Sequence, residues 1–244
     1  MRKIILASLI LASTSPATAL DLKSKSMQLI GEVVANPAAF FYDFQQDVEA
    51  TLPLPPGKSY GFQTGLFPTM LPMGYMNLSG KYRIFAEGRV SPGFPQVDLI
   101  GGYWNMLWAK ILANQSDDVD SARFYGYYGT LMLSSSLSPK IRSFWGLKLS
   151  RLRARLDLNK TVDFMGVGVN SFDSGFEDTF FIIGIETPRT TDKLWSLQLN
   201  YGLNENALAV KAMWQGKYFD LGLNFYPEGV LVVHPVWNFH INFE

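Results

Sequence analysis

From Trp195 to Phe243 apolar and polar side chains alternate in segment after segment. Trp195, Leu197, Leu199, Tyr201 and Leu203 take the odd positions, with Ser196, Gln198, Asn200 and Gly202 between them. Phe219, Leu221, Leu223 and Phe225 repeat the pattern against Tyr218, Asp220, Gly222 and Asn224. The last segment sets Leu231, Val233, Pro235, Trp237, Phe239, Ile241 and Phe243 on one parity and His234, Asn238, His240 and Asn242 on the other. A period of two is the signature of a β-strand, because successive side chains point to opposite faces of the sheet. Each strand therefore has one face for an apolar medium and one for water.

Where those media lie depends on the rest of the chain. Met1 to Ala19 has the form of a secretory signal peptide. Arg2 and Lys3 open it, Ile4 to Ala12 form an apolar stretch too short for a bilayer, and Ala17-Thr18-Ala19 is a small-x-small cleavage site. The remainder is long enough for one large β domain or two small ones. After the signal, 19 basic residues face 21 acidic ones, which gives no reason to expect a nucleic-acid partner. Cysteine is absent, so an exported chain must hold together by packing alone. Charged residues make up only 17% against 14% aromatics, a greasy surface for a protein in water. No later apolar run approaches the roughly 18 residues of a membrane helix.

Residues 20–57 have a different pattern from the rest of the chain. Met27, Ile30, Val33 and Val34 recur at helical spacing. Asn36-Pro37 is a helix start, and Phe40, Phe41, Phe44 and Val48 form a stripe opposite Asp43, Gln46, Asp47 and Glu49. The pattern predicts a short helical N-terminal segment ending at Pro53-Leu54-Pro55-Pro56-Gly57, placed as a plug or a cap on the domain formed by 58–244. Strand patterns cover 59–67, 78–90, 96–112, 121–134, 140–157, 161–170, 178–187, 193–203, 206–214, 217–226 and 229–243. Hairpin-sized turns such as Asn204-Glu205-Asn206 and Gln215-Gly216 join the later ones, so the sheet is an antiparallel meander. Most segments reach the roughly 9–11 residues of a tilted membrane strand. Barrels of that kind close on even numbers, so ten or twelve strands are expected, with 59–67 and 96–112 the weakest patterns. The connections all come out at about ten residues or fewer, short for a receptor or adhesin.

Three features put the apolar face outside. Gly222, Asn224, Asp220, Ser196 and Gln198 suit a polar interior. Tyr201, Trp214, Tyr218 and Trp237 sit near strand ends, as interfacial aromatics do. The terminal Trp237-x-Phe239-x-Ile241-x-Phe243 resembles the closing strand of Gram-negative outer-membrane β-barrel proteins, although Glu244 succeeds the aromatic here. That resemblance covers 59–243 as a pattern. It implies an all-β, closed, antiparallel up-and-down transmembrane β-barrel in the cell outer membrane, in contact with outer-membrane lipids, lipopolysaccharide and the barrel-assembly machinery.

Motifs for chemistry are sparse. His234 and His240 lie about 20 Å apart along their strand, too far to share a metal. Neither has a serine beside it, although one from another strand could complete a catalytic pair. Arg151, Arg153 and Arg155 share the parity of Trp145, Leu147 and Leu149, while Leu152, Ala154, Leu156 and Leu158 take the other. Arginine facing hydrocarbon costs roughly 2–4 kcal/mol at the midplane, so the apolar face is expected to switch near Ser150-Arg151. The arginines then line the lumen with Lys81, Arg83, Arg89, Lys211 and His240, face lipopolysaccharide phosphates, or form a solvated strand end. Asp117, Asp118 and Asp120, like Asp173, Glu177 and Asp178, read as polar turns without calcium spacing. No catalytic residue, metal site or cofactor is assigned. The expected role is a narrow, porin-like channel for small solutes or a structural barrel. A lipid-modifying enzyme and a soluble exported lipid-binding barrel are the alternatives.

Overall fold

The computed structural model describes residues 54, 57–66, 76–106, 119–164, 167–187, 193–227 and 232–243. The signal peptide and nearly all of the helical segment at 20–57 lie outside them. Ten strands succeed one another: β1 (Tyr60–Leu66), β2 (Met76–Phe85), β3 (Gln96–Asn105), β4 (Val119–Ser138), β5 (Ile141–Phe164), β6 (Val167–Glu186), β7 (Leu194–Gly202), β8 (Leu208–Gln215), β9 (Phe219–Phe225) and β10 (Val233–Phe243). Each pairs antiparallel with its sequence neighbours, and β1 pairs with β10, so the sheet closes into an up-and-down barrel. β1 begins, and β10 ends, at the same end of the barrel, where the connections 86–95, 139–140 and 216–218 also lie. No helix among the described residues is long and apolar enough to cross a membrane, which says nothing of a barrel.

The alternation places its apolar members on the outer wall. Leu197, Leu221 and Phe239 are 48%, 43% and 51% exposed, while Gln198, Asp220 and Asn224 are buried. Tyr60, Phe62, Leu78, Leu99, Leu131, Leu147, Ile183 and Ile241 extend the apolar wall around the barrel. Soluble monomers rarely expose a continuous apolar surface beyond a few hundred Å². Tyr103, Tyr127 and Tyr201 stand on this wall toward one end, and Trp195 and Tyr218 toward the other.

Two sequence expectations need correction. The segment 161–170 is not a strand of its own. It is divided between the end of β5 and the start of β6 and forms the tip of their hairpin. That accounts for ten strands rather than twelve, and both weak patterns, 59–67 and 96–112, supply strands. The arginine-bearing strand also does not switch faces. The β5–β6 register is unbroken from Arg142 to Asp157, with its irregularity beyond, so Arg151, Arg153 and Arg155 stay on the outer parity. What changes is height. β5 has 24 residues and β4 and β6 have 20 each, against nine in β7 and seven in β9. β5 thus runs roughly 80 Å, far beyond a hydrocarbon core about 30 Å thick. β4, β5 and β6 pair into a three-stranded projection at the end opposite the start of β1. Asp120, Asp173, Glu177 and Asp178 lie on these strands rather than in turns.

Candidate functional site

The bore is not a uniform polar channel. Ile100, Trp104, Tyr128, Met132, Phe144, Leu152, Phe176, Phe180 and Ile182 are buried in one apolar cluster on the inner face of β3 to β6. Packing uses glycines directly across each ladder. Trp104 lies opposite Gly126, and Tyr128 opposite Gly102. A Cβ on Gly126 would come within 2.7 Å of the Trp104 ring, and one on Gly102 would strike the Tyr128 ring. Phe144 covers Gly184 and Met213 covers Gly222 in the same way. Large side chains thus fold over missing ones, which packs this part of the interior with side chains.

Toward the end where β1 begins, the interior turns ionic. Asp98 is 1% exposed and holds three partners. Lys81 Nζ is 3.0 Å from its Oδ2, Arg83 Nε 3.4 Å from Oδ1, and Gln96 Nε2 donates to Oδ2 at 2.6 Å. Arg142 Nη2 donates to Ser134 Oγ at 2.9 Å and to Gln96 Oε1 at 3.3 Å, extending the network from β2 to β5. Arg142 sits opposite Glu186 in the ladder and 3.8 Å from Glu87. Glu87, on the β2–β3 connection, accepts the Ser136 amide at 2.7 Å and the Ser136 and Ser135 hydroxyls. Partial desolvation pushes its pKa up. The amide and hydroxyl hydrogen bonds outweigh this and, with Arg142, hold the carboxyl below its ordinary value.

A second polar group occupies the other side of the bore. His240 Nδ1 is 3.1 Å from Asp220 Oδ2, with both side chains buried. Neither Nδ1 nor Asp220 Oδ1 has an aligned hydrogen bond, so the contact is electrostatic and is an ion pair only when the imidazole is protonated. Gln63 donates to Asn242 at 3.0 Å, and Gln198 to Asn200 at 2.6 Å. Lys211 is buried on this inner face. Among the described residues no serine hydroxyl is bonded to His240, and no three His, Cys, Asp or Glu side chains gather as a metal site.

The residues singled out from sequence therefore separate. Lys81, Arg83, Lys211 and His240 are inside. Arg89 is exposed on the β2–β3 turn, beyond the strand. Arg151, Arg153 and Arg155 are on the outer face of the projection. The backbone of His234 belongs to β10. Asp98, the acid that contacts Lys81 and Arg83, was not singled out, and Asp220, read as an interior residue, was not linked to His240, although both lie on the polar parity of their strands.

The chain matches no family model and no curated protein. Among solved structures it is similar to Ail, the attachment invasion locus protein of Yersinia pestis. The match is 11% identical, with a TM-score of 0.35, and covers 75% of this chain and 95% of that one.

Proposed function

We propose that this chain is an integral outer-membrane barrel whose bore is closed by its own side chains, a structural and surface-presenting protein rather than a solute channel. The outer wall supports the membrane setting: Leu, Ile, Phe and Val face outward, with Tyr and Trp toward the rims, as lipid-spanning barrels require. The end where β1 begins and β10 finishes then faces the periplasm, and the β4–β5–β6 projection faces outward from the cell.

The observation that carries the closed bore is the fully buried Trp104 packed over Gly126, amid a cluster that includes Phe144 and Phe180. An aqueous pore would leave those rings wet. Lys81 and Arg83 also do not stand free as an anion-selective ring, because both are held at contact distance by Asp98, which offsets half of their charge. Among the described residues no nucleophile is bonded to the His240 imidazole, as an exchange of acyl groups there would need.

Two measurements test this. Fractionation and an unboiled-against-boiled gel should place the protein in the outer membrane as a heat-modifiable barrel. Purified protein in planar bilayers should give no discrete conductance steps. Steps whose ion preference reverses in Lys81→Glu or Arg83→Glu would overturn the closed bore.

A further inference from the structure

At the base of the projection, arginine and tyrosine alternate on the outer face. In the β4–β5 ladder Arg151 is opposite Tyr127, Arg153 opposite Tyr125 and Arg155 opposite Arg123. All continue the parity of Leu147 and Leu149, both of which are exposed on the wall. From Ile141 to Leu149 the outer-wall stretch runs through residues 141–149, about the 9–11 residues with which a tilted strand crosses a membrane. The arginines begin where that stretch ends. Tyr125 packs beside Tyr103, with ring centroids 6.3 Å apart, and Asn105 Nδ2 donates to the Tyr103 hydroxyl at 3.0 Å. Tyrosine marks the layer between hydrocarbon and headgroup.

The cations are not equally neutralised. Arg151 pairs with Glu177 at 3.2 Å and donates to the Tyr127 hydroxyl at 3.2 Å. Arg155 pairs with Asp157 at 3.0 Å. Arg153 faces Gly175 on its β6 side, and its stem lies along the space that a side chain there would fill. It is exposed and has no acid within ion-pair distance among the described residues. Arg123 is likewise exposed and has no acid within ion-pair distance among the described residues, although its charge acts on Asp157. Two free guanidinium groups on adjacent strands, above a tyrosine belt, present forked donors at the height of lipid headgroups.

We propose that Arg123 and Arg153, with Tyr125 between them, bind the phosphates of a phosphorylated glycolipid in the surrounding leaflet. The inference rests on the membrane setting proposed above. Its chemistry is that of a bisphosphorylated headgroup whose acyl chains lie along Leu147, Leu149 and Leu131. Glu177 and Asp157 hold Arg151 and Arg155 aside, so the two free arginines carry the contact.

The test uses the full-length purified protein in nanodiscs with diphosphoryl lipid A, with lipid A stripped of both phosphates, or with phosphatidylcholine alone. Inorganic phosphate in solution forms a fourth arm. Bound lipid is counted by native mass spectrometry. Wild type should retain diphosphoryl lipid A over the stripped form, and Arg123→Gln with Arg153→Gln should weaken that retention about tenfold or more. Lys58→Gln with Lys140→Gln, at the opposite end, should leave it unchanged. Equal retention of both lipid A forms, or no loss in the arginine double variant, would overturn the proposal. So would inorganic phosphate binding as tightly as the lipid, because the site would then be one for soluble anions. Heat modifiability of the same samples reports the barrel separately, so loss of lipid binding with an intact barrel refutes the site and not the membrane reading.

Discussion

Replacing Asp98 with asparagine asks whether the bore is dry. The side chain keeps its size, and its remaining carbonyl oxygen can still accept from Gln96, so the change removes charge more than shape. It leaves Lys81 and Arg83 facing one another with side chains only 8% and 11% exposed. Removing one partner of a buried ion pair costs about 3–5 kcal/mol, because the other charge stays desolvated and uncompensated. At about 1.4 kcal/mol per tenfold, the unfolded population rises between roughly a hundredfold and a few thousandfold. With a urea dependence near 2 kcal/mol per molar, the midpoint falls by about 2 M. Urea titration in lipid vesicles, followed by tryptophan fluorescence, measures this directly. A double-mutant cycle with Lys81→Met should return a coupling well above about 1 kcal/mol. A loss of less than about 1 kcal/mol, the scale of a surface pair, would mean that water reaches Asp98 and that the bore is hydrated.

The same geometry sets further outcomes. Leu197→Arg on the outer wall should cost about 2–4 kcal/mol in vesicles, whereas a half-exposed leucine in water would tolerate it within about 0.5 kcal/mol. Urea unfolding separates the two. Trp104→Ala should lose about 3–5 kcal/mol, read from urea unfolding in vesicles. Gly126→Ala pushes a methyl into the Trp104 ring and should cost about 1–3 kcal/mol by overpacking, read from the same titration. Glu87 titrates below its ordinary value in the folded state. Its contribution is therefore complete above that value and is lost as pH falls through the folded pKa. The protection factor of the Ser136 amide, its NMR exchange rate in micelles divided into the base-catalysed intrinsic rate at each pH, should fall on acidification and become insensitive to pH in Glu87→Gln.

Strand existence and the sign of each face were legible because the outer wall is almost purely apolar in β7, β9 and β10. Parity is a local property, and one residue's slip would invert every side chain. Height along the strand is not local. Arg151 on the parity of Leu149 implied a change of face only if both stood in hydrocarbon. The structure instead carries β5 out of the band with its parity intact. Segment 161–170 looked independent for the same reason: its turn lies in the projection and not at the barrel rim. The apolar interior cluster was hidden because β3 to β6 set large rings on the inner parity too, weakening the alternation there. Trp104 and Phe144 become intelligible only beside Gly126 and Gly184, which are partners in the ladder and not in sequence. Asp98 was missed because 96–112 was one of the two weakest strand patterns, which left its inner face unassigned.

The seam between β1 and β10 has a kinetic consequence. It is four paired positions long, from Phe62↔Phe243 to Gly65↔His240, and its side-chain bond from Gln63 to Asn242 joins residues 179 apart. Every other ladder can form from a local hairpin, but this one must wait for the final strand. Contact order is therefore concentrated in a single late event, and a chain stopped short of β10 exposes two raw edges ready to pair with a neighbour. Weakening that seam should slow ring closure and promote aggregation far more than it alters the finished barrel.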